Sequence, residues 1–232
     1  GGRRIQQGSN LSGLMLGLMR TPASFDNSNG ATDPEDESAY INPDGSQRNY
    51  RGSGGYDNPY WTINRNPFED QVNRVFGYVN FQYLAYEWLT LNYKVGVDNY
   101  SDRRKQIISI GSRTVPAGRI MEDVYNYTEF NHDLTARMNK KWGKLDGSLL
   151  LGFNANQRNL NNLYGQGDGL VINDFYNMSN AATQLVSQGI DRRRISGVYG
   201  EATLGYAEQL YLTLTARRDQ ASTFGDVGES IF

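Results

Sequence analysis

Trp88-Leu89-Thr90-Leu91-Asn92-Tyr93-Lys94-Val95-Gly96-Val97-Asp98 is the stretch from which the fold can be read. Leu89, Leu91, Tyr93, Val95 and Val97 alternate with Thr90, Asn92, Lys94, Gly96 and Asp98. Successive side chains of a strand point to opposite faces, so this is a ribbon with one apolar and one polar face. Both of its charges, Lys94 and Asp98, fall on the polar face. A strand tilted across a bilayer needs roughly 9–11 residues, which is the length of this stretch.

The same pattern recurs on either side. Val75, Gly77, Val79, Phe81 and Tyr83 oppose Arg74, Asn80 and Gln82, with Phe76 and Tyr78 as apolar intruders on the polar side. Phe130, His132, Leu134, Ala136 and Met138 oppose Asn131, Asp133, Thr135, Arg137 and Asn139. In all, the alternation predicts six strands, over about 72–84, 88–99, 129–140, 145–157, 195–206 and 210–219. Tight turns join them in pairs, near Ala85-Tyr86, at Trp142-Gly143-Lys144 and at Ala207-Glu208. The connections between pairs, about 100–127 and 158–193, each exceed roughly 25 residues.

An amphipathic antiparallel sheet lays its apolar face either on a protein core or on lipid. Three features favour lipid. Short turns at one end and long loops at the other are the habit of membrane barrels, whereas sandwich connections are short at both ends. Tyr83, Tyr86, Trp88, Trp142, Tyr206 and Tyr211 flank the tight turns, as amphipathic rings do at a membrane–water interface. Arg74, Lys94, Asp98, Asp133, Arg137, Asp146, Glu201 and Arg217 lie opposite the apolar stripe, where an Arg or Lys escapes the roughly 2–4 kcal/mol cost of the lipid midplane. His132 is the exception on the stripe; it is expected to lie against a neighbour or near a strand end and not to ligate a metal.

The expected fold is therefore all-β, with antiparallel strands forming part of a transmembrane outer-membrane β-barrel with long extracellular loops. Residues 1–70 form an extracellular loop region with a short helix, and residues 71–232 carry the strands. The smallest natural membrane barrels use about eight strands, and lipid tolerates no open sheet edge. Six strands imply that the chain is a section of a larger barrel. The ends fit that expectation: Gly1-Gly2-Arg3-Arg4 carries no signal peptide, and residues 225–230 read as a loop before Ile231-Phe232. The alternative is a secreted β-sandwich carbohydrate-binding module.

Composition bounds function. The 232 residues carry a net charge of -2, which gives no electrostatic footprint for nucleic acid. Mean hydropathy is -0.64 and no long apolar run occurs, so helical membrane spans are excluded while barrel strands are not. Without cysteine, disulfides and thiolate metal sites are impossible. With a single histidine, multi-histidine metal sites and Cys–His catalysis are absent, and the neighbouring Asp133 points to the opposite face from His132. Asp133 and Asp146 could face each other as a glycosidase pair, but Arg137 and Lys94 beside them favour a salt-bridge network. Gly165, Gly167 and Gly169 precede no helix pattern and are not read as a phosphate cradle. No enzyme, cofactor or metal is expected.

Before the first strand, Ser9 or Asn10 caps a predicted helix through Leu11, Leu14, Met15, Leu18 and Met19, stopped by Pro22. Asp33, Glu35, Asp36 and Glu37 offer oxygen ligands for calcium, but without EF-hand spacing they read as a solvated acidic loop. Tyr56, Tyr60, Trp61, Tyr164, Phe175 and Tyr176 are the candidate ligand-binding residues. Their rings could stack on sugars or peptide side chains, with neighbouring Asn and Asp orienting polar groups; packing of the loops on one another is the competing role.

Several segments resemble the SusC/RagA-like TonB-dependent outer-membrane transporters. They are Ser12-Gly13-Leu14-Met15-Leu16-Gly17-Leu18-Met19-Arg20-Thr21-Pro22 with Phe25-Asp26, and Asp57-Asn58-Pro59-Tyr60-Trp61 with Asn66-Pro67 and Asn73-Arg74. Phe175-Tyr176-Asn177-Met178-Ser179-Asn180 and Arg193-Arg194-Ile195-Ser196-Gly197-Val198-Tyr199-Gly200-Glu201 follow in the family's order. The chain departs at Gln220, where the family pattern would place an aromatic. The resemblance implies an internal segment of the barrel, located in the bacterial cell outer membrane and surrounded by outer-membrane lipid. It implies import of an oligosaccharide or peptide substrate, energised by TonB through parts outside this chain, with a SusD-like surface lipoprotein as the lid.

Overall fold

The computed structural model describes residues 2–3, 13–52 and 55–223. Six long strands follow one another: β2 (Phe68–Tyr86), β3 (Leu89–Ile108), β4 (Arg119–Trp142), β5 (Leu145–Leu170), β6 (Ala181–Tyr206) and β7 (Leu210–Ala221). A two-residue β1 (Gly2–Arg3) pairs antiparallel with Asp70 and Glu69 of β2. All belong to one sheet, ordered β1 to β7 as in the sequence. The β6–β7 register sets Leu204 opposite Leu212 and Ala202 opposite Leu214 on one face. On the other face Thr203 lies opposite Thr213, their hydroxyls 3.0 Å apart.

The six expected strands are present, but most run further than the alternation indicates. β5 has 26 residues and β4 has 24; at about 3.3 Å per residue such strands are far longer than a bilayer's hydrocarbon core. The segments 100–127 and 158–193 are therefore mainly strand, and the true connections are ten residues each, 109–118 and 171–180. The opposite turns have two or three residues, 87–88, 143–144 and 207–209. The first tight turn is Glu87-Trp88, just beyond the expected place. Gly143 adopts φ +62°, in the left-handed region that glycine enters without a Cβ penalty. The asymmetry of the two ends survives with shorter loops. The sandwich alternative does not survive, because it needs two packed sheets and the strands form one.

Contacts divide the chain into two compact units. The hairpin unit comprises Asn73–Ser101, Asn126–Asn161 and Ile190–Phe232, and contains the tight turns. Among its described residues only Gly197 and Gly205 are buried, so it has no dry core of side chains. Leu151, Leu212 and Leu214 are 47%, 59% and 65% exposed. Aromatic rings gather at the turns; Tyr86 and Trp88 stack with centroids 5.4 Å apart. His132 does lie against a neighbour: its Nδ1 is 2.8 Å from the Tyr93 hydroxyl and the two rings stack.

The loop unit comprises Gly1–Val72, Asp102–Tyr125 and Asn162–Gly189. It holds the buried apolar side chains of the described residues: Ala39, Tyr40, Trp61, Ile107, Ile108, Ile120 and Leu170. Its α2 (Pro59–Arg65) is a helix that the aromatic-rich sequence does not announce. Asn58 caps it by accepting from the Tyr60 N–H at 2.9 Å, and Pro59 supplies a preset φ at its first turn. The expected helix before Pro22 is present as α1 (Leu14–Arg20), with Gly13 at its N-cap. The proposed caps Ser9 and Asn10, like the loop at 225–230, lie outside the described residues. Gly17 is the buried residue of α1; a Cβ there would meet the Asp57 carbonyl at 3.2 Å, while Met15, Leu18 and Met19 are exposed.

Candidate functional site

The polar face of the sheet carries the chemistry. In the loop unit, strand alternation places Asp102 and Arg104 of β3, Asp123 and Tyr125 of β4, and Tyr164, Gln166 and Asp168 of β5 on this face. The Arg104 guanidinium grips Asp102 Oδ2 at 2.7 and 3.0 Å and lies over the Tyr125 ring, 4.8 Å from its centroid. Asp102 is nearly buried, yet its Oδ1 has no partner. A relay runs along β5: the Tyr164 hydroxyl donates to Gln166 Oε1 at 2.7 Å, and Gln166 Nε2 donates to Asp168 Oδ2 at 2.7 Å. Arg119 Nε donates to Asp168 Oδ1 at 2.5 Å.

The electrostatics follow from these contacts. Partial burial pushes the Asp168 carboxyl upward, but hydrogen bonds from Arg119 and Gln166 outweigh it and hold the group below its usual range. Burial, then the nearby Asp123 charge, raises the Tyr164 phenol above its ordinary value, so it stays a neutral donor at physiological pH. Asp102 and Asp168 are each matched by an arginine, while Asp123 accepts from Asn162 Nδ2 at 3.5 Å, with phenols and amides between them. Such a surface offers directional hydrogen bonds to a polar solute without holding it by net charge.

The hairpin unit continues the theme. Arg74 binds Asp98 through two bonds of 2.8 and 2.6 Å. An amide ladder crosses β4 and β5: Asn154 Nδ2 donates to Asp133 Oδ1 at 2.6 Å, Asn131 Nδ2 to Asp133 Oδ2 at 2.7 Å, and Asn156 Nδ2 to Glu129 Oε1 at 2.7 Å. Tyr127 also donates to Glu129. This corrects the salt-bridge network expected around Asp133: amides satisfy its carboxylate, and Lys94 lies over the Tyr78 ring at 4.4 Å. Arg74 covers Phe76 similarly at 5.5 Å. Each of the two apolar intruders thus lies under a cation, which draws stabilisation from the ring face.

Tyr199 lies on Gly152, where an added Cβ would come within 2.1 Å of the ring, and beneath the Arg217 guanidinium, which pairs with Asp219 at 2.8 Å. Gly152→Val is expected to expel Tyr199 from this seat and lower stability by about 1–3 kcal/mol through overpacking. Urea denaturation measures the cost, and a structure of the variant shows where the ring goes.

The six candidate rings occupy different settings. Trp61 is only 5% exposed, edge-on to Tyr40 at 6.2 Å, with its Nε1 donating to Ser112 Oγ at 2.9 Å; its surface faces other parts of the loop unit. Tyr60 packs beside this cluster, and Arg20 lies 5.0 Å over the Tyr56 ring. Tyr176 fixes its own loop, its hydroxyl 2.8 Å from Ser109 Oγ and 2.9 Å from Asp174 Oδ1, and its carbonyl accepts from Lys105 Nζ at 2.8 Å. Phe175 is 47% exposed, and Tyr164 belongs to the polar face. The structure thus brings Tyr60 and Trp61 into one cluster and sets Tyr164 in another array.

The other motifs find structural roles. In the acidic loop, Asp33 accepts from the Glu35 N–H, Asp36 caps a short 3-10 turn through the Ser38 N–H, and Glu37 pairs with Arg65 at 3.1 Å. Gly165 and Gly167 mark close approaches, where a Cβ would meet Met178 and Ala181 at 2.6 Å. Among the described residues no group of three or more His, Asp or Glu is placed to hold a metal ion. Arg104, Arg119, Asp123, Tyr125 and Asp168 were not singled out from the sequence. Their i, i+2 spacing is the available signal; on β3 it is hidden because Arg103 and Lys105 make the opposite face polar too.

No protein-family model matches the chain, and no curated protein does. Solved structures do. The RagAB peptide transporter superposes with a TM-score of 0.70 at 18% identity, over 78% of this chain and 21% of that one. The RagAB peptide importer in its closed-closed state gives 0.69 at 19% identity, over 79% and 22%. Its open-open state gives 0.69 at 18% identity, over 79% and 21%. The chain spans about a fifth of the length of those it matches. At this identity the likeness concerns the fold, and at that level the resemblance to SusC/RagA-like transporters holds: the six long antiparallel strands form an open sheet that matches part of the RagA barrel.

Proposed function

We propose that this chain is a section of the wall and external loops of a TonB-dependent outer-membrane importer for oligosaccharides or peptides. In this reading the tight turns face the periplasm, the ten-residue loops and residues 13–52 and 55–67 face outward, and the polar face lines the lumen. TonB supplies energy through parts beyond this chain, and a SusD-like lipoprotein closes the outer mouth. The fold likeness to RagAB supports the architecture. RagAB imports peptides, and peptides are one of the two substrate classes the polar face of this chain suits.

One observation carries the reading. The hairpin unit presents rows of exposed large apolar side chains and, among its described residues, no buried side-chain core, while its opposite face carries paired charges and amides. In water such a sheet would leave its most favourable burial unmade. In a bilayer the same rows meet hydrocarbon, and the polar face meets a water-filled lumen.

The native chain has no cysteine, so single cysteines report cleanly on position. Cysteines at Leu151 and Leu212 in intact outer membranes are expected to react with a lipid-soluble maleimide and resist a charged one. Cysteines at Thr135 and Thr213, on the polar face, are expected to react with the charged reagent. Equal reaction of all four sites with the charged reagent defeats the proposal.

A further inference from the structure

The apolar face of the hairpin unit is not uniformly ridged. Beside the tight turns it sinks into an open groove of about 580 Å³. Gly147 and Ala202 form its floor, since neither projects beyond a methyl group. Leu149, Leu204, Leu212 and Leu214 form its sides. The Trp142 indole lies over Gly147, where a Cβ would stand 3.1 Å from the ring, so the ring walls the groove without filling it.

The rim has a distinct chemistry. Lys140 lines the groove from the same face as Met138, and Lys144 lies in the adjoining turn. Among the described residues neither ammonium is in an ion pair, whereas Lys141, on the opposite face, is tied to Glu208 at 2.8 Å. Trp88 and Trp142 complete the rim. Indoles at this depth sit between hydrocarbon and headgroups, and a basic residue beside an apolar slot attracts an anionic lipid headgroup. A protein partner would need apolar cover along the whole stripe. The groove instead offers an open apolar slot with one cation, Lys140, set between Met138 and Trp142 on its β4 side.

We propose that this groove binds one anionic phospholipid, its acyl chain lying over Gly147 and Ala202 and its phosphodiester held at Lys140. The site rests on the membrane reading above and adds to it a specific lipid on the side of the tight turns.

The test uses the full-length protein in vesicles containing phospholipids brominated on their acyl chains, which quench nearby tryptophans. The signal of Trp88 and Trp142 is the difference between wild type and the Trp88→Phe/Trp142→Phe variant. With brominated phosphatidylglycerol this signal is expected to saturate at about fivefold lower lipid fraction than with brominated phosphatidylcholine, the advantage of about one cation at the headgroup. Lys140→Gln, an exposed change, is expected to abolish the difference between headgroups. Ala202→Phe, which fills the floor, is expected to abolish saturation. Quenching that rises in proportion to lipid fraction, equally for both headgroups, overturns the site while leaving the stripe in the bilayer. Absence of quenching by either lipid overturns the membrane placement itself.

Discussion

Asp57→Ala is expected to release residues 25–52 and 55–66 from their packed arrangement while the hairpin strands remain assembled. Asp57 is buried, and its carboxylate accepts from Gln47 Nε2 at 2.8 Å, the Arg113 N–H at 2.7 Å and Asn66 Nδ2 at 3.2 Å. Each partner is already committed in direction. Gln47 Oε1 accepts from the Asn58 N–H and from Asn49 Nδ2. Asn66 Oδ1 accepts from the Ser109 N–H at 2.9 Å and from Ser112 Oγ, which in turn accepts from Trp61. Removing the carboxylate leaves three donors without an acceptor, at about 1–3 kcal/mol for each buried group. Asp57→Asn is expected to cost about 1–3 kcal/mol, because its amide would face the Asn66 amide donor to donor. Hydrogen exchange at residues 40–66 measures both variants. Unchanged protection in Asp57→Ala would remove this carboxylate from its central role.

The pH dependence of the same region has a definite sign. Burial raises the Asp57 pKa despite its hydrogen bonds. A raised carboxyl favours the folded state at low pH, and that contribution is lost as pH rises through the folded value. Asp26 runs the other way: hydrogen bonds from Ser28 and the Gly30 N–H lower it, so its contribution is present above the ordinary carboxyl range and lost on acidification.

How much of this was legible depends on where solvent contrast exists. Residues 89–98 announce a strand because one face is apolar and the other polar. The same strand, β3, continues to Ile108, but from Tyr100 to Lys105 both faces are polar or charged and the alternation fades. The same loss hides the ends of β5 and the start of β6, so two strand-rich segments read as long loops. Helix α2 escaped for a different reason. Its seven residues are too few for a periodicity, and the Asn58-Pro59 cap that starts it also reads as a turn. Among the candidate rings, Tyr164 sits on the polar face in the company that strand spacing dictates. Trp61 faces the centre of the loop unit from helix α2, and a helix this short carries no periodicity to tell an aromatic aimed inward from one aimed outward.

Depth, not burial, is expected to govern substitutions on the apolar stripe. Val95 lies six residues beyond Leu89; at about 3.3 Å per residue and a tilt near 45°, it stands about 14 Å from the strand start, close to the middle of a 30 Å hydrocarbon layer. Leu91, by the same reckoning, lies about 5 Å in. Val95→Arg is therefore expected to cost about 2–4 kcal/mol, and Leu91→Arg about 1 kcal/mol or less. Asn92→Arg, on the polar face, is expected to assemble normally. Denaturant midpoints of the full-length protein folded into vesicles, with the fraction of each variant reaching the outer membrane, measure this order. A soluble sheet covered by protein would give another order, because Leu91 and Val95 are both half-buried and would suffer alike. Equal penalties at the two sites would mean that the stripe meets protein, and the importer reading would fall with it.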